Sequence, residues 1–188
     1  MIVITNPTAV DNEINHIHSL FDNGLRLLHV RKPDYSETSM IALLTAIGND
    51  YSNQLVLHSH HHLAEAFGIT RLHNPKTGTD ASAFSFSIAT HSIEEFNALH
   101  NDYDYAFLSP VYPSISKPNY QSQTNLLTDV KHRTNWNTKL IALGGIALEN
   151  ISETLQSGFD EVALLGYIWN SSNPLESFKK CQQIAHSF

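Results

Sequence analysis

Short runs of apolar residues recur along the whole chain, separated by polar or turn-forming segments. Each run is four to six residues long, a length typical of a buried β-strand rather than of a helix. We therefore predict eight strands, at residues 2–5, 25–30, 55–58, 69–73, 84–89, 105–109, 140–143 and 162–165.

Amphipathic segments with helical periodicity lie between most of these runs. Two segments place apolar residues on one helical face and end at a glycine: Ile14, Ile17 and Phe21 before Gly24, and Leu148, Ile151 and Leu155 before Gly158. Glycine commonly follows the last turn of a helix. Ser92 and Glu95 have the spacing of a capping box, which predicts the start of another helix. The chain thus alternates strands with helices.

This alternation predicts a parallel α/β architecture, and eight is the number of strands that closes a (β/α)8 TIM barrel. We expect a single barrel domain over residues 1–188, with a doubly wound open sheet as the alternative. Residues 74–82 are polar and too short for a normal helix, so the helix between strands four and five should be shortened or missing. Residues 110–123, which contain three prolines, form a loop long enough to act as a lid.

Composition narrows the choice of partner and compartment. The formal net charge is -7, from 18 acidic and 11 scattered basic residues, which argues against nucleic acid. No apolar run approaches the roughly 20 residues of a membrane span, and no signal peptide is evident. The single Cys181 has helical spacing with apolar neighbours and indicates a structural thiol. We expect a cytoplasmic protein, and a homo-oligomer is left open.

Polar residues at strand ends carry the candidate chemistry, because the active site of such a barrel lies at the carboxyl ends of its strands. The period of two along strand two puts His29 and Arg31 on one face, where an arginine suits an anionic substrate. His58, His73 and His91 end or follow the next three strands. Each histidine alone is more often structural than catalytic, but together they favour a functional site.

Glycines follow strands seven and eight at Gly144, Gly145 and Gly166. Loops at these positions form the recurring phosphate site of the fold. Tight packing of strand against helix also requires glycine, so the pattern alone allows both interpretations. We favour phosphate binding because both loops carry glycine.

The loop after strand six offers further phosphate donors. Ser114 and Ser116 provide hydroxyls, and Lys117 provides an ammonium group. A solvated loop without function is an equally good interpretation of the spacing alone.

A run of four histidines within five residues follows strand three in the sequence LVLHSHHHL. Zn²⁺ accepts three imidazoles, so a transition-metal site of His58, His60 and His62 is one hypothesis. His58 and His60 share a face only while the strand continues, and His61 and His62 are expected to enter the next helix. The run therefore favours a strand end over a metal site.

Four stretches in this order, LHVRKP, SFSIATHSIEE, DYAFLSPVYPSISK and IALGGIALENI, resemble the thiamine-phosphate synthase and TenI family over nearly the whole chain. The resemblance implies a (β/α)8 barrel. Synthase members join hydroxymethylpyrimidine diphosphate to a thiazole phosphate with loss of pyrophosphate, assisted by Mg²⁺. TenI-like members isomerise a thiazole carboxylate phosphate without a metal. Both bind a phosphorylated thiazole.

The resemblance also implies roles for individual residues. Arg31 and Lys32, the latter one position early, correspond to the residues that hold diphosphate. Ser114, Ser116 and Lys117 match the lid motif, Gly144 and Gly145 match the glycine pair, and Gly166 lies at the strand-eight turn.

The sequence departs from the family pattern at several positions. His58 and Ser59 replace an Asn-Asp pair whose Asp binds Mg²⁺. Gly78 lies near the position of the second metal-binding Asp, for which Asp80 can substitute only if the shortened loop reaches. Ala89 replaces a serine, and Pro110 stands where tautomerases have their catalytic histidine.

Three hypotheses remain. The first is a Mg²⁺-assisted synthase-like transferase, in which Arg31, Lys32 and Lys117 stabilise the pyrophosphate. The second is a metal-independent thiazole tautomerase that uses His29, His58 or His91 for proton transfer. The third is a protein that binds thiazole or thiamine phosphate without turnover.

Overall fold

The computed structural model describes residues 1–76, 78–80, 82–100, 102–113, 122 and 124–188. Eight parallel strands form a closed barrel in sequence order, and β8 pairs with β1 to complete the ring. The strands are β1 Ile2–Ile4, β2 Leu27–Val30, β3 Leu55–Leu57, β4 Arg71–His73, β5 Ser85–Thr90, β6 Tyr105–Leu108, β7 Lys139–Ala142 and β8 Glu161–Leu164. The predicted (β/α)8 fold and all eight strands are therefore confirmed, and the open sheet is excluded.

Helices pack around the barrel wherever the sequence supplies an apolar face. Within the described ranges they are α1 Glu13–Asp22, α2 Glu37–Ile47, α3 Ile93–Asn97, α4 Leu126–Asp129, α5 Ile151–Gln156, α6 Gly166–Trp169 and α7 Pro174–Ala185. In α1 the predicted stripe is buried at Ile17 and Phe21 and partly buried at Ile14, and Leu20 is buried beside it. The chain leaves this helix at Gly24, whose φ of 92° is unfavourable for other residues.

The predicted capping box at the start of α3 is present in altered form. The Ser92 side chain accepts a hydrogen bond from the Glu95 backbone N–H at 3.2 Å. The Glu95 carboxylate accepts from the backbone N–H of His91, at 2.7 Å, one residue before the usual position. The box thereby also fixes the backbone of His91 at the barrel mouth.

Within the part of the chain that the structure describes, two connections lack a regular helix. Only the 3-10 turns His61–Leu63 and Glu65–Phe67 link β3 to β4, so the helix expected to begin in the histidine run is absent. His60 has a left-handed backbone with φ of 54°, which turns the chain immediately after β3. Between β4 and β5 no helix is present among the described residues, as the sequence predicts. These short connections account for the small size of the barrel.

Buried residues form an outer layer between sheet and helices and a smaller group inside the barrel. The inner group consists of Ile2, Ile4, Tyr105, Phe107, Ile141 and Ala163. Cys181 is fully buried in the outer layer, and this burial raises the pKa of its thiol to about 12. It is therefore a structural thiol, as predicted. Among the described helices, none is long and apolar enough to cross a membrane.

Candidate functional site

A cavity of about 320 Å³ opens at the carboxyl ends of the strands. Polar side chains line one part of its wall, on the side of β2 to β4: Arg31, His58, His73 and Asn74. Apolar side chains and glycine backbone from β6 to β8 line another part, and His91 lies between the two. The volume suits a small molecule, and the location is the one that the fold uses for catalysis.

Three histidines from neighbouring strands meet at the base of this cavity. His29 belongs to β2, His58 follows β3, and His73 ends β4. One ring nitrogen from each histidine lies within 4.8 Å of the others. His29 Nδ1 and His58 Nε2 are hydrogen-bonded at 2.8 Å, and the rings of His58 and His73 are 4.1 Å apart between centroids. We call these three residues the histidine cluster.

Buried hydroxyl groups form hydrogen bonds with the second ring nitrogen of two of these histidines. His29 Nε2 is 2.6 Å from the Tyr105 hydroxyl, and His73 Nδ1 is 2.9 Å from Ser87 Oγ. Burial raises the pKa of Tyr105 to about 12, so its phenol keeps its proton near neutral pH. Each of these two imidazoles therefore has one nitrogen anchored and the other directed toward the cluster.

Burial keeps the histidine cluster uncharged. It lowers the pKa of His29 and His58 well below the usual value, with neighbouring histidines adding to the effect. Burial, together with His61 and Arg31, lowers the pKa of His73 to about 4. At neutral pH the cluster therefore consists of neutral imidazoles, which can accept a proton or donate a lone pair.

Arg31 and Lys32 have different environments despite being adjacent. Arg31 lines the cavity, as its predicted face requires. Lys32 is fully buried, and its ammonium group donates to both Glu13 carboxylate oxygens, at 2.6 and 2.8 Å, and to the Thr8 carbonyl. Burial lowers the pKa of Lys32, while Glu13 opposes that shift. The predicted diphosphate contact of Lys32 is wrong for this structure, because an internal ion pair occupies the ammonium group.

Gly144, Gly145 and Gly166 all lie on the cavity wall. A β-carbon on Gly144 would lie 2.7 Å from Pro110 Cα, and one on Gly145 would lie 2.5 Å from the Pro113 carbonyl oxygen. The loop after β6 is also tied to this turn by hydrogen bonds from Val111 N–H to the Leu143 carbonyl and from Tyr112 N–H to the Gly144 carbonyl. Close packing thus requires the glycine pair, and the same turn presents backbone to the cavity.

The remaining predicted site residues lie in three different places. His91 lines the cavity, and its Nδ1 is 2.9 Å from the Ser109 carbonyl. Asp80 is exposed outside the cavity wall, and its carboxylate accepts two hydrogen bonds from Ser82, which lower its pKa. Asp80 was a possible Mg²⁺ ligand only if its shortened loop reached the cavity, and Asp80 does not line the cavity. Ser114, Ser116 and Lys117 lie outside the described residues, so their roles stay predictions.

The histidine run after β3 does not converge on one point. His58 turns inward to His29, whereas His61 Nε2 returns to the Leu57 carbonyl and His62 pairs with Glu37 on the surface. The metal hypothesis based on His58, His60 and His62 is wrong, because His58 is directed into the barrel whereas His62 lies on the surface. Tyr105 and Ser87, which contact His29 and His73, were not predicted as site residues. The two-residue period of their strands directs both side chains into the barrel.

Comparison with known proteins gives a consistent result. A family model described as thiamine monophosphate synthase matches residues 1–168. The thiamine-phosphate synthase of Caldicellulosiruptor saccharolyticus is 23% identical over 94% of this chain and 86% of that protein. That of Staphylococcus saprophyticus is 24% identical over 69% of this chain and 66% of that protein, slightly under two thirds of its length.

A solved structure extends the comparison over the full chain. The thiamine phosphate pyrophosphorylase of Bacteroides thetaiotaomicron superposes with a TM-score of 0.81 at 33% identity, covering 99% of this chain and 97% of that one. The family resemblance detected in the sequence motifs is therefore confirmed.

Proposed function

The chain belongs to the thiamine monophosphate synthase and TenI family, and we propose that it is a transferase of thiamine biosynthesis. It joins hydroxymethylpyrimidine diphosphate to a thiazole phosphate and releases pyrophosphate. The thiazole nitrogen donates its lone pair to the pyrimidine methylene carbon as the bond from that carbon to the diphosphate oxygen breaks, and the pyrophosphate leaves with the electron pair of the broken bond.

The observation that carries this proposal is the placement of Arg31 on the wall of the cavity at the strand ends. Its guanidinium is a permanently charged, bidentate donor suited to the diphosphate. Lys32 cannot share this role because Glu13 binds its ammonium group. The sequence supplies Lys117 as the second cation, with Ser114 and Ser116 as hydroxyl donors.

The thiazole phosphate is assigned to the other side of the cavity. Gly144, Gly145 and Gly166 present backbone there without side chains, which allows a phosphate to approach closely. Ile4, Phe107 and Leu165 provide apolar surface beside them for the heterocycles. The two phosphorylated groups then lie on separate parts of the wall, with the reacting rings between them.

The Mg²⁺ ion that the family resemblance implies does not fit the donors of this cavity. Mg²⁺ prefers carboxylate and other oxygen ligands, and no described residue of the lining carries a carboxylate. The residues outside the described ranges include no Asp or Glu either. We therefore assign stabilisation of the leaving pyrophosphate to Arg31 and Lys117, without a role for Mg²⁺.

The test is pyrophosphate release by the purified full chain with both substrates, in parallel with Mg²⁺, with Zn²⁺ and with EDTA. We expect release that requires both substrates, with thiamine phosphate formed in equal amount. Omitting the thiazole phosphate is the control for simple diphosphate hydrolysis. Absence of pyrophosphate and thiamine phosphate under all three conditions would refute the transferase proposal.

A second candidate, a thiazole tautomerase, is favoured by one specific contact. His58 lines the cavity, and its ring is hydrogen-bonded to His29, which in turn contacts Tyr105. A neutral imidazole with such support is suited to proton transfer. His29 is fully buried, so it positions His58 rather than touching substrate. Thiazole isomerisation that is lost in His58→Ala and retained in His60→Ala would select this function. Binding of thiazole phosphate with neither activity would select the non-catalytic alternative.

A further inference from the structure

We propose that the histidine cluster of His29, His58 and His73 is a binding site for a divalent transition-metal ion of the Zn²⁺ type, at the base of the cavity. This inference does not rest on the transferase proposal, because metal binding is measured without substrates. It differs from the Mg²⁺ site that the family resemblance implies in its ligand atoms, which are imidazole nitrogens rather than carboxylate oxygens.

The first argument is geometric. The three rings come from the adjacent strands β2, β3 and β4, or directly follow them, and their ligand nitrogens lie within 4.8 Å of one another. A tetrahedral Zn²⁺ ion with Zn–N bonds of about 2.0–2.1 Å holds its nitrogens about 3.3 Å apart. The 2.8 Å contact between His29 and His58 must lengthen slightly and the longer separations must shorten.

The second argument is the set of hydroxyl groups behind the ligands. Metal-binding histidines usually place their other ring nitrogen on a fixed partner, which sets the tautomer and orients the ring. Tyr105 provides this partner for His29, and Ser87 provides it for His73. Both hydroxyls belong to buried residues, so water does not compete for these two hydrogen bonds. Two of the three ligands are thereby preorganised.

The third argument is access and charge. His58 and His73 line the cavity, so the open side of the site faces the space where substrate binds. Three protein ligands with one open position are typical of catalytic rather than structural zinc sites. Arg31 opposes a cation here, since its charge already acts on His58 and His73. An anion bound at Arg31 would offset that repulsion, so metal and phosphorylated ligand should favour each other's binding.

The site can be tested by titrating the metal-free full chain with Co²⁺, whose visible spectrum reports tetrahedral nitrogen coordination, and then displacing it with Zn²⁺. We expect one equivalent bound in the wild type, with no displacement by millimolar Mg²⁺. His58→Ala and His73→Gln should each weaken binding at least about 100-fold. The matched control is the double variant His60→Ala/His62→Ala, which removes two nearby histidines outside the cluster and should bind like the wild type.

Tyr105→Phe keeps the aromatic ring and removes only the hydroxyl behind His29. It should weaken binding about 10- to 100-fold, and it covers the case in which a ligand variant fails to fold. The proposal is overturned if the wild type shows no tetrahedral Co²⁺ spectrum, if binding survives both His58→Ala and His73→Gln, or if it disappears in the His60→Ala/His62→Ala control.

Discussion

The two sides of the barrel mouth present different chemistry to the same cavity. Strands β2 to β4 contribute charged and titratable side chains, Arg31, His58 and His73. Strands β6 to β8 contribute apolar groups and the glycine turns Gly144, Gly145 and Gly166. On the first side the chemistry depends on side chains and their protonation, and on the second it depends on backbone held in place by packing. Substitutions should therefore act differently on the two sides.

The largest expected effect tests whether Lys32 contacts substrate or only stabilises the β2 to β4 side of the barrel mouth. Glu13→Ala removes the carboxylate whose two oxygens lie 2.6 and 2.8 Å from the buried Lys32 ammonium group. We expect a loss of about 3–5 kcal/mol in the free energy of unfolding, measured by urea denaturation.

The double variant Glu13→Leu/Lys32→Met is the control, because an apolar pair can replace a buried ion pair at little cost. It should recover most of the lost stability and keep pyrophosphate release at the wild-type rate. Loss of activity in a stable double variant would place Lys32 among the substrate contacts, contrary to the structure.

The next effect concerns the packed backbone of the second side. At Gly145, with φ of 65°, an added β-carbon would lie 2.5 Å from the Pro113 carbonyl oxygen and 2.6 Å from Tyr112 Cβ. Gly145→Ala should therefore destabilise the protein by about 2–4 kcal/mol through strain and overpacking. Gly68→Ala is the matched control, because φ is also 65° there and the nearest atom to the added carbon, Ser52 Oγ, lies at an ordinary contact distance of 3.6 Å.

The difference between the two alanine variants isolates the cost of contact with the loop after β6. Equal free energies of unfolding for the two would mean that backbone strain alone requires the glycines. In that case the close approach of Pro113 to Gly145 would contribute nothing measurable.

A smaller effect, on activity but not on stability, is expected for Arg31 on the β2 to β4 side of the barrel mouth. Arg31→Ala removes the proposed diphosphate donor from the cavity wall and should lower kcat/KM for pyrophosphate release about 100-fold. Arg26→Ala is the control, because Arg26 is exposed and precedes β2 at the amino ends of the strands. Similar activity in the two variants would remove Arg31 from the proposed mechanism.

The sequence predicted the strands well because each buried strand is a separate apolar run. The same two-residue period that places Arg31 toward the cavity puts Lys32 on the opposite face, where Glu13 of α1 binds it. The family resemblance suggested a substrate role for Lys32 that this period contradicts. Local pattern was therefore the better guide at this position.

The histidine cluster could be predicted only in part. The sequence indicates that His29, His58 and His73 occur at successive strand ends, but not how far along the barrel axis each lies. In the structure His29 is paired with Val56, two residues before His58, so His29 lies deeper and the His58 ring reaches toward it. Register between neighbouring strands depends on closure of the whole barrel, which no short sequence window encodes.

The smallest effect is the pH dependence that one neutral histidine of the cluster adds to stability. The pKa of His73 is about 4 in the folded protein and about 6.5 in an unfolded chain. As the pH falls below about 6.5, the unfolded chain therefore binds a proton that the folded protein does not, and the free energy of unfolding decreases. Above that pH both states are neutral at His73 and the contribution is constant.

His73→Gln removes this titration while keeping a polar group near Ser87, whose Oγ is 2.9 Å from His73 Nδ1. Between pH 7 and pH 5 in EDTA, wild-type stability should fall by about 2 kcal/mol more than that of the variant, since one pKa unit corresponds to about 1.4 kcal/mol. His29, His58, His61 and Arg31 remain in both proteins, so their contributions largely cancel in the difference. Parallel pH profiles would show that folding does not lower the pKa of His73. Burial would then not hold this imidazole neutral, and the β2 to β4 side of the mouth would gain positive charge below about pH 6.5.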